Sequence, residues 1–400
     1  MWLSSVSITG FRNLKKVEAN LSPGVNILHG LNAQGKTSFL EAIYFCAFGR
    51  SPRAIHDREL INFDQDQAHI QAEVYGGPES PLTSHKVSHF TLDAYIQKIG
   101  GKSKKGLAIN QVSIPHIKDL FGKLLVVMFS PEDLQLIKAG PTQRRRFMDM
   151  EICQLSPVYY QGLKEYHRAL KQRNALLKAI QKDKSQQDML EVWDIQLATH
   201  GRRIMRLRQQ FIANINTVSK QIHSQITAGA EELSLIYQPS MINPGGGKND
   251  VDDVDIIDNN AYLAALKKSH KRDILQGTTT VGIHKDDVEF TINNISARFF
   301  GSQGQQRTAA LSAKLAEIEI IKQTTNQSPI LLLDDVLSEL DGNRQAFLLE
   351  EIKTLQTLVT CTGLEDALLS ITNSKKAAQN PGQAINIIEI SNGDILGRIS

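Results

Sequence analysis

Residues 30–37 read Gly30-Leu31-Asn32-Ala33-Gln34-Gly35-Lys36-Thr37, a G-x-x-x-x-G-K-T run. It lies between an apolar stretch, Val25-Asn26-Ile27-Leu28, and a helix-forming one, Ser38 to Phe45. Strand, loop and helix in that order are the frame a phosphate-binding loop needs. Glycine lets the backbone curl until successive N–H groups converge on a polyphosphate. The helix that follows adds about half a positive charge at its first turn. Lys36 would reach the β- and γ-phosphates of a nucleotide, and the Thr37 hydroxyl would bind Mg²⁺.

Such a loop does not hydrolyse a nucleotide unaided; it needs a second acid for the metal and a group that orients water. The run Ile330-Leu331-Leu332-Leu333-Asp334-Asp335 supplies both, with two acids where a buried strand emerges. Asp334 is placed to hold Mg²⁺ through its water shell, and Asp335 to polarise water as a general base. The plainer alternative is that the pair caps the next helix. Between loop and strand lies Phe300-Gly301-Ser302-Gln303-Gly304-Gln305-Gln306-Arg307, followed by a strong helix from Thr308 to Lys322. Small residues at a helix entrance make a second anion site, or else an ordinary turn and cap. One site with one phosphate loop does not need a second such device, whereas two copies sharing nucleotide do.

A chain of 400 residues has room for two or three domains. The first 150 residues mix sheet and helix. Strands are expected at Val6 to Phe11, Val17 to Leu21, Ile70 to Tyr75, Phe90 to Ile96, Leu107 to Val112 and Leu124 to Phe129. The last ends at Ser130-Pro131, a helix-start signal. From Leu155 to Thr227 glycine and proline become rare, and Ile204, Leu207, Phe211, Ile215, Val218, Ile222 and Ile226 recur at helical spacing. With a second helix from Tyr159 to Ile180, this reads as a helical hairpin or a small helical domain. Pro239 to Asn260 is an acidic, flexible loop that lacks the glycine and glutamate spacing of a Ca²⁺ loop. Mixed α/β character returns at Thr279-Thr280-Val281-Gly282-Ile283.

The net charge of +3 says little, but the cations cluster: Lys102, Lys104 and Lys105; Arg144 to Arg146; Arg202, Arg203, Arg206 and Arg208; Lys267, Lys268, Lys271 and Arg272. Beside a phosphate loop such runs make nucleic acid a fair partner. The runs near Lys102 and around Arg202 to Arg208 are the favoured DNA contacts, and the Arg144 run has a structural alternative. Cys46, Cys153 and Cys361 lack metal-ligand spacing and read as buried thiols. There is no signal-peptide pattern and no apolar stretch of membrane-spanning length, so a cytoplasmic location away from membranes is expected.

The order phosphate loop, helical insertion, serine–glycine signature, acidic strand and Ser338-Glu339-Leu340-Asp341 resembles the ABC-type ATPase heads of SMC proteins. More closely, the chain resembles the RecF family of bacterial recombination mediators. The likeness is carried by Gly10-Phe11-Arg12-Asn13-Leu14, Gly49-Arg50-Ser51-Pro52-Arg53, Phe129 to Leu134, Arg144 to Asp149, Val281 to Asp287, Gly301 to Arg307 and Leu332 to Asp341.

The resemblance implies an α/β fold: an ABC-type P-loop ATPase head formed by both chain ends, with an inserted helical arm. Residues 1–152 would be the N-terminal lobe, 153–272 the arm with its acidic loop near 239–260, and 273–400 the C-terminal lobe. It implies ATP and Mg²⁺ as cofactors and a homodimer that sandwiches ATP. The implied partners are DNA at single-strand gaps and junctions, with RecO and RecR helping to load RecA. Gly30, Leu31, Asn32, Ala33, Gln34, Gly35, Lys36 and Thr37 would bind ATP, with Thr37 and Asp334 on the metal. Lys36 and Asp335 would be catalytic, and Ser302, Gly304 and Gln305 would touch the partner copy's γ-phosphate. Asp341 would end the segment at the dimer axis, Arg12 would lie near the adenine or phosphates, and Arg53 is a looser candidate for a charge-neutralising arginine.

Three departures from the general ABC pattern imply slow hydrolysis, the first being Asp335, one methylene shorter than the glutamate usual there. Phe129-Ser130-Pro131 stands where a glutamine loop is expected, and Leu358-Val359-Thr360-Cys361-Thr362 where a switch histidine is. A small-molecule kinase or GTPase is the first rival, without the guanine-reading N-K-x-D or an arginine lid. The second is a nucleotide-gated clamp with vestigial hydrolysis.

Overall fold

Burial with period two builds the first sheet. In β4 (Gln67–Tyr75), Ala68, Ile70, Ala72 and Val74 are buried and the residues between them are not, so one face is core and the other polar. β1 (Trp2–Phe11), β2 (Leu14–Asn20), β5 (His89–Ile99), β6 (Lys102–Ile109) and β7 (Val112–Ser113) join it in the antiparallel order β2-β1-β4-β5-β6-β7. The strand expected over Leu107 to Val112 is broken by a turn. Asn110 and Gln111 take φ of 50° and 64° and reverse the chain between β6 and β7, the mirror-image geometry that two-residue hairpins favour. The computed structural model describes residues 1–76, 89–241, 258–363 and 385–399.

Continuous apolar runs build the second sheet. β8 (Val126–Phe129) and β12 (Ile330–Asp334) are buried at every position, as strands covered on both faces are. With β3 (Val25–His29), β13 (Thr357–Cys361), β14 (Asn386–Ser391) and β15 (Asp394–Ile399) the order is β15-β14-β3-β13-β12-β8. All pairings are parallel except β14 with β15. β3, from the start of the chain, is therefore flanked by β14 and β13 from its end. Helix α1 (Lys36–Phe48) packs on strands of both sheets. It buries Phe39, Leu40, Ile43, Phe45 and Phe48 completely, each worth about 1.5–3 kcal/mol. Buried Gln356 ties the ends together, accepting from the Leu3 N–H at 2.6 Å and donating to the carbonyls of Leu3 and Ser22 at 2.7 and 2.8 Å.

These sheets belong to one compact unit, Met1–Asp133 with Glu317–Ser400; Leu134–Ala316 forms the other. The boundaries read from the sequence, 152/153 and 272/273, both fall within that second unit. It contains α2 (Gln135–Lys138), α3 (Pro141–Leu155), α4 (Pro157–Ile180), α5 (Leu190–Ile226), α6 (Asn259–Gln276) and α7 (Ala297–Phe300). β9 (Leu233–Gln238), β10 (Asp287–Ile292) and β11 (Ile295–Ser296) form an antiparallel sheet in the order β11-β10-β9. Helix α8 (Gln303–Thr325) begins in this unit, and α9 (Gly342–Ile352) lies in the first. Ser156 caps α4 with Pro157 at its first position. The acidic loop falls largely at 242–257, outside the described residues.

Charge is buried in this second unit. Arg173, fully buried, donates to Asp194 and Asp273, both at 2.7 Å, and to Thr279 Oγ1 at 2.8 Å. Arg208, 1% exposed, donates to Asp149 at 2.8 Å, Asp286 at 3.2 Å, Tyr159 at 2.9 Å and the Ile283 carbonyl at 2.6 Å. Arg144 is paired with Asp287 through two hydrogen bonds of 2.6 and 2.9 Å. Arg208 therefore drops out of the basic run expected to contact DNA, and Arg144 is structural; Arg203 and Arg206 stay exposed. Residues 279–283 form no strand, only the start of a single 3₁₀ turn, Ile283–Lys285. Their backbone is held by side chains instead: Thr280 N–H donates to Asp273 at 2.9 Å, and Gly282 N–H to Ser240 at 2.9 Å. Gly282 has φ 124°, and a Cβ there would meet the Tyr166 hydroxyl at 2.3 Å.

Candidate nucleotide site

The loop from Gly30 to Thr37 leaves β3 and enters α1 through backbone only glycine adopts without strain. Gly30 has φ 152° and Gly35 φ 115°. A Cβ at Gly30 would lie 2.2 Å from the Ile390 carbonyl, and one at Gly35 2.5 Å from the Leu14 side chain. Leu31, Asn32 and Ala33 are exposed at the tip, and Gln34 is half-buried. Lys36 is buried, with Nζ donating to the carbonyls of Gly30 at 2.6 Å and Leu31 at 2.9 Å. Burial lowers its pKa, against the pull of Cys361, Asp335 and Asp334.

Two braces fix the loop. Asn13 Nδ2 donates to the Ala33 carbonyl at 2.9 Å while its Oδ1 accepts from Ser38 at 2.8 Å. Gln34 accepts from the β14–β15 turn, through its carbonyl from Gly393 N–H at 3.1 Å and through its side chain from Asn392 N–H.

Sheet order brings the acidic strand to the loop. Thr37 Oγ1 donates to Asp334 Oδ1 at 2.7 Å across 297 residues of sequence. Thr360, at the end of the intervening β13, donates to the same oxygen at 3.1 Å and accepts from the Asp335 N–H at 2.9 Å. Asp334 is 6% exposed, and burial raises its carboxyl above the usual range although both hydroxyls lower it. Asp335 is exposed at φ 53°, its carboxylate accepting from Ser338 at 3.1 Å. A hydroxyl and a carboxylate in contact at a strand end suit Mg²⁺, which takes oxygen ligands and keeps much of its water. The residues fit the ion.

Arg12 is already engaged. Its guanidinium grips buried Glu41 at 3.0 and 2.9 Å and donates to the Glu59 carbonyl at 3.1 Å. Arg53 pairs with Glu132 at 3.5 Å, both side chains being substantially exposed.

Ser302, Gly304 and Gln305 belong to the other compact unit and open α8. Ser302 is its N-cap: its Oγ accepts from Gln305 N–H at 3.2 Å, and Gln305 Oε1 accepts from Ser302 N–H at 2.9 Å. This is the reciprocal capping box of an S-x-x-Q start. The Gly304 carbonyl accepts from Thr308 at 2.9 Å.

Asn13, Glu41, Thr360 and the β14–β15 turn do not emerge from the sequence reading as site elements. Asn13 and Thr360 lie inside segments quoted for other reasons, and only sheet order gives them their partners.

The model of the RecF/RecN/SMC N terminal domain matches residues 2–378. The DNA replication and repair protein RecF of Agathobacter rectalis is 42% identical over 92% of this chain and 93% of its own length. That of Lachnoclostridium phytofermentans is 44% identical over 92% and 94%. A solved structure of the recombination mediator protein RecF-ATP in the RecFOR pathway superposes with TM-score 0.85 at 31% identity, covering 100% of this chain and 98% of the other. The Smc head domain of Pyrococcus furiosus, at 14% identity and TM-score 0.53, covers 100% of this chain and 96% of its own and shares the ABC-type head fold.

Proposed function

The chain belongs to the RecF family, and from that premise we propose that it is an ATP-dependent recombination mediator acting on DNA in the cytoplasm. In this reading residues 30–37 wrap the triphosphate, and Lys36 neutralises its terminal phosphates. Thr37 and Asp334 hold Mg²⁺, which when bound withdraws charge from the β- and γ-phosphates. Asp335, exposed beside the strand end, takes the proton of the attacking water. Ser302, Gly304 and Gln305 of a second copy close over the γ-phosphate, so that ATP makes a homodimer and hydrolysis opens it. Arg12 keeps its grip on Glu41 and offers its remaining N–H donors to the nucleotide. Residues 1–152 and 273–400 act as the head and 153–272 as the arm, with single-strand gaps and junctions as the DNA. RecO and RecR are the partners through which RecA is loaded.

The observation that carries the reading is the 2.7 Å contact between Thr37 and Asp334. Slow turnover is supported by Thr360, whose hydroxyl is bonded to Asp334 and to the Asp335 N–H within the run Leu358 to Thr362 where a switch histidine is expected. Turnover well below a typical enzyme's roughly 10 per second is expected. Sedimentation with and without ATP and gapped DNA tests the whole. Wild type should dimerise on ATP, and Lys36→Met and Ser302→Arg should stay monomeric. Dimers of both variants in ATP would overturn the shared-nucleotide model.

A further inference from the structure

We infer that Glu231 is a positioning residue for the signature: it fixes the carboxamide of Gln305, and through it the Ser302 cap, while His223 on α5 holds Glu231 in place. The inference rests on the reading of Ser302 and Gln305 as contacts to a second copy's nucleotide.

The chemistry is set by which atoms can donate. Gln305 Nε2 donates to Glu231 Oε1 at 2.9 Å. A carboxylate only accepts, so the amide nitrogen must face Glu231 and the amide oxygen must face the Ser302 N–H, 2.9 Å away. Flipped, the amide would set its NH₂ against that N–H and the cap would open. With Oγ accepting from Gln305 N–H at 3.2 Å, the Ser302 hydroxyl keeps its own proton for an acceptor beyond the helix start. Phosphate is such an acceptor.

Glu231 is itself placed from the arm. The last turn of α5 closes through Thr227 N–H on the His223 carbonyl at 2.9 Å and Gly229 N–H on the Ser224 carbonyl at 2.7 Å. This turns the chain back so that Glu231 Oε2 meets His223 Nε2 at 3.2 Å. His223 is fully buried, and its Nδ1 lies 3.3 Å from the Oγ of Ser312, one helical turn beyond Thr308, whose carbonyl Ser312 bonds at 2.8 Å. The signature helix is thus gripped at its first turn through Glu231 and two turns later through His223, both from the end of the arm helix.

The test compares ATP-dependent association by sedimentation with ATP affinity of the dilute monomer, using the full chain. Glu231→Ala should weaken association about tenfold, the scale of one hydrogen bond to a charged group, and leave monomer ATP affinity unchanged. Glu231→Gln, which still offers an oxygen to Gln305, should stay close to wild type. Glu231→Ala combined with Gln305→Ala should be no worse than Gln305→Ala alone, because one residue acts through the other. Wild-type association in Glu231→Ala, or a double variant showing both losses in full, overturns the inference. If Glu231→Ala does not fold, Gln305→Met, which leaves Glu231 on His223, takes its place, and wild-type association there overturns it equally. Ser302→Arg separates the two levels. Its failure to associate beside an unaffected Glu231→Ala removes this inference alone; its persistence as an ATP dimer removes the shared-nucleotide reading with it.

Discussion

Asp334 and Arg208 are both buried charged side chains, and the two units keep them in opposite ways. Asp334 is bonded by two neutral hydroxyls, Thr37 and Thr360, and burial pushes its carboxyl up. Arg208 is surrounded by Asp149, Asp286 and Tyr159, and these neighbours hold it firmly charged despite its burial. A charge left short of counter-charge is in tension that a cation relieves, whereas a charge already neutralised contributes only to holding helices together. The buried charge of Asp334 is there to be used, and that of Arg208 holds the architecture.

The sharpest way to break this contrast is Arg208→Met. It leaves Asp149 and Asp286 without their counter-charge, and a loss of about 3–5 kcal/mol in chemical denaturation is expected. A loss under about 1 kcal/mol would mean that the network is dispensable. The converse is Asp334→Asn, for which ATP turnover should fall about 10²–10³-fold, equal to about 2.7–4 kcal/mol of transition-state stabilisation. The melting temperature without nucleotide should not drop, because a desolvated charge has been removed. A melting loss like that of Arg208→Met would erase the distinction.

The smallest effect concerns His284 in the charged core of the second unit. Its Nε2 donates to the Thr279 carbonyl at 3.0 Å, which leaves Nδ1, 2.9 Å from the Tyr166 hydroxyl, as the acceptor. Burial lowers the pKa of the ring to about 4, which keeps it neutral in this arrangement. A folded value below the unfolded one of about 6.5 gives stability that is present above pH 6.5 and lost as pH falls toward 4. Between pH 7.5 and 5 the loss is about 2 kcal/mol by this linkage. Urea unfolding of wild type against His284→Gln at the two pH values reads it; equal pH dependence in both would assign the acid sensitivity elsewhere.

How much of this was legible in the sequence depends on whether a feature is local. Strand, loop and helix around Gly30 to Thr37 are local, and α1 begins where the motif says. The acidic strand and the two long helices announce themselves by apolar runs and helical spacing, so β12, α4 and α5 lie where expected. Thr360, Asn13 and Glu231 were not legible as working parts, because each depends on a partner supplied by sheet order or by the end of a distant helix. The arginine runs misled for a related reason. Arg202, Arg203, Arg206 and Arg208 are neighbours in sequence, but helical periodicity turns Arg208 inward and leaves the others outside. The strand-like Thr279 to Ile283 is held as a loop by side-chain bonds that no β-propensity reveals.

The position of β3 between β13 and β14 also sets an order of assembly during synthesis. The strand that carries the phosphate loop is synthesised more than 300 residues before either neighbour, β13 or β14. At about 5–20 residues per second that interval is on the order of 20–70 s. The unit at Leu134–Ala316 is one continuous segment and can fold within it. Until β13 and β14 follow, β3 is an apolar strand with both edges open, the kind of edge that invites mispairing.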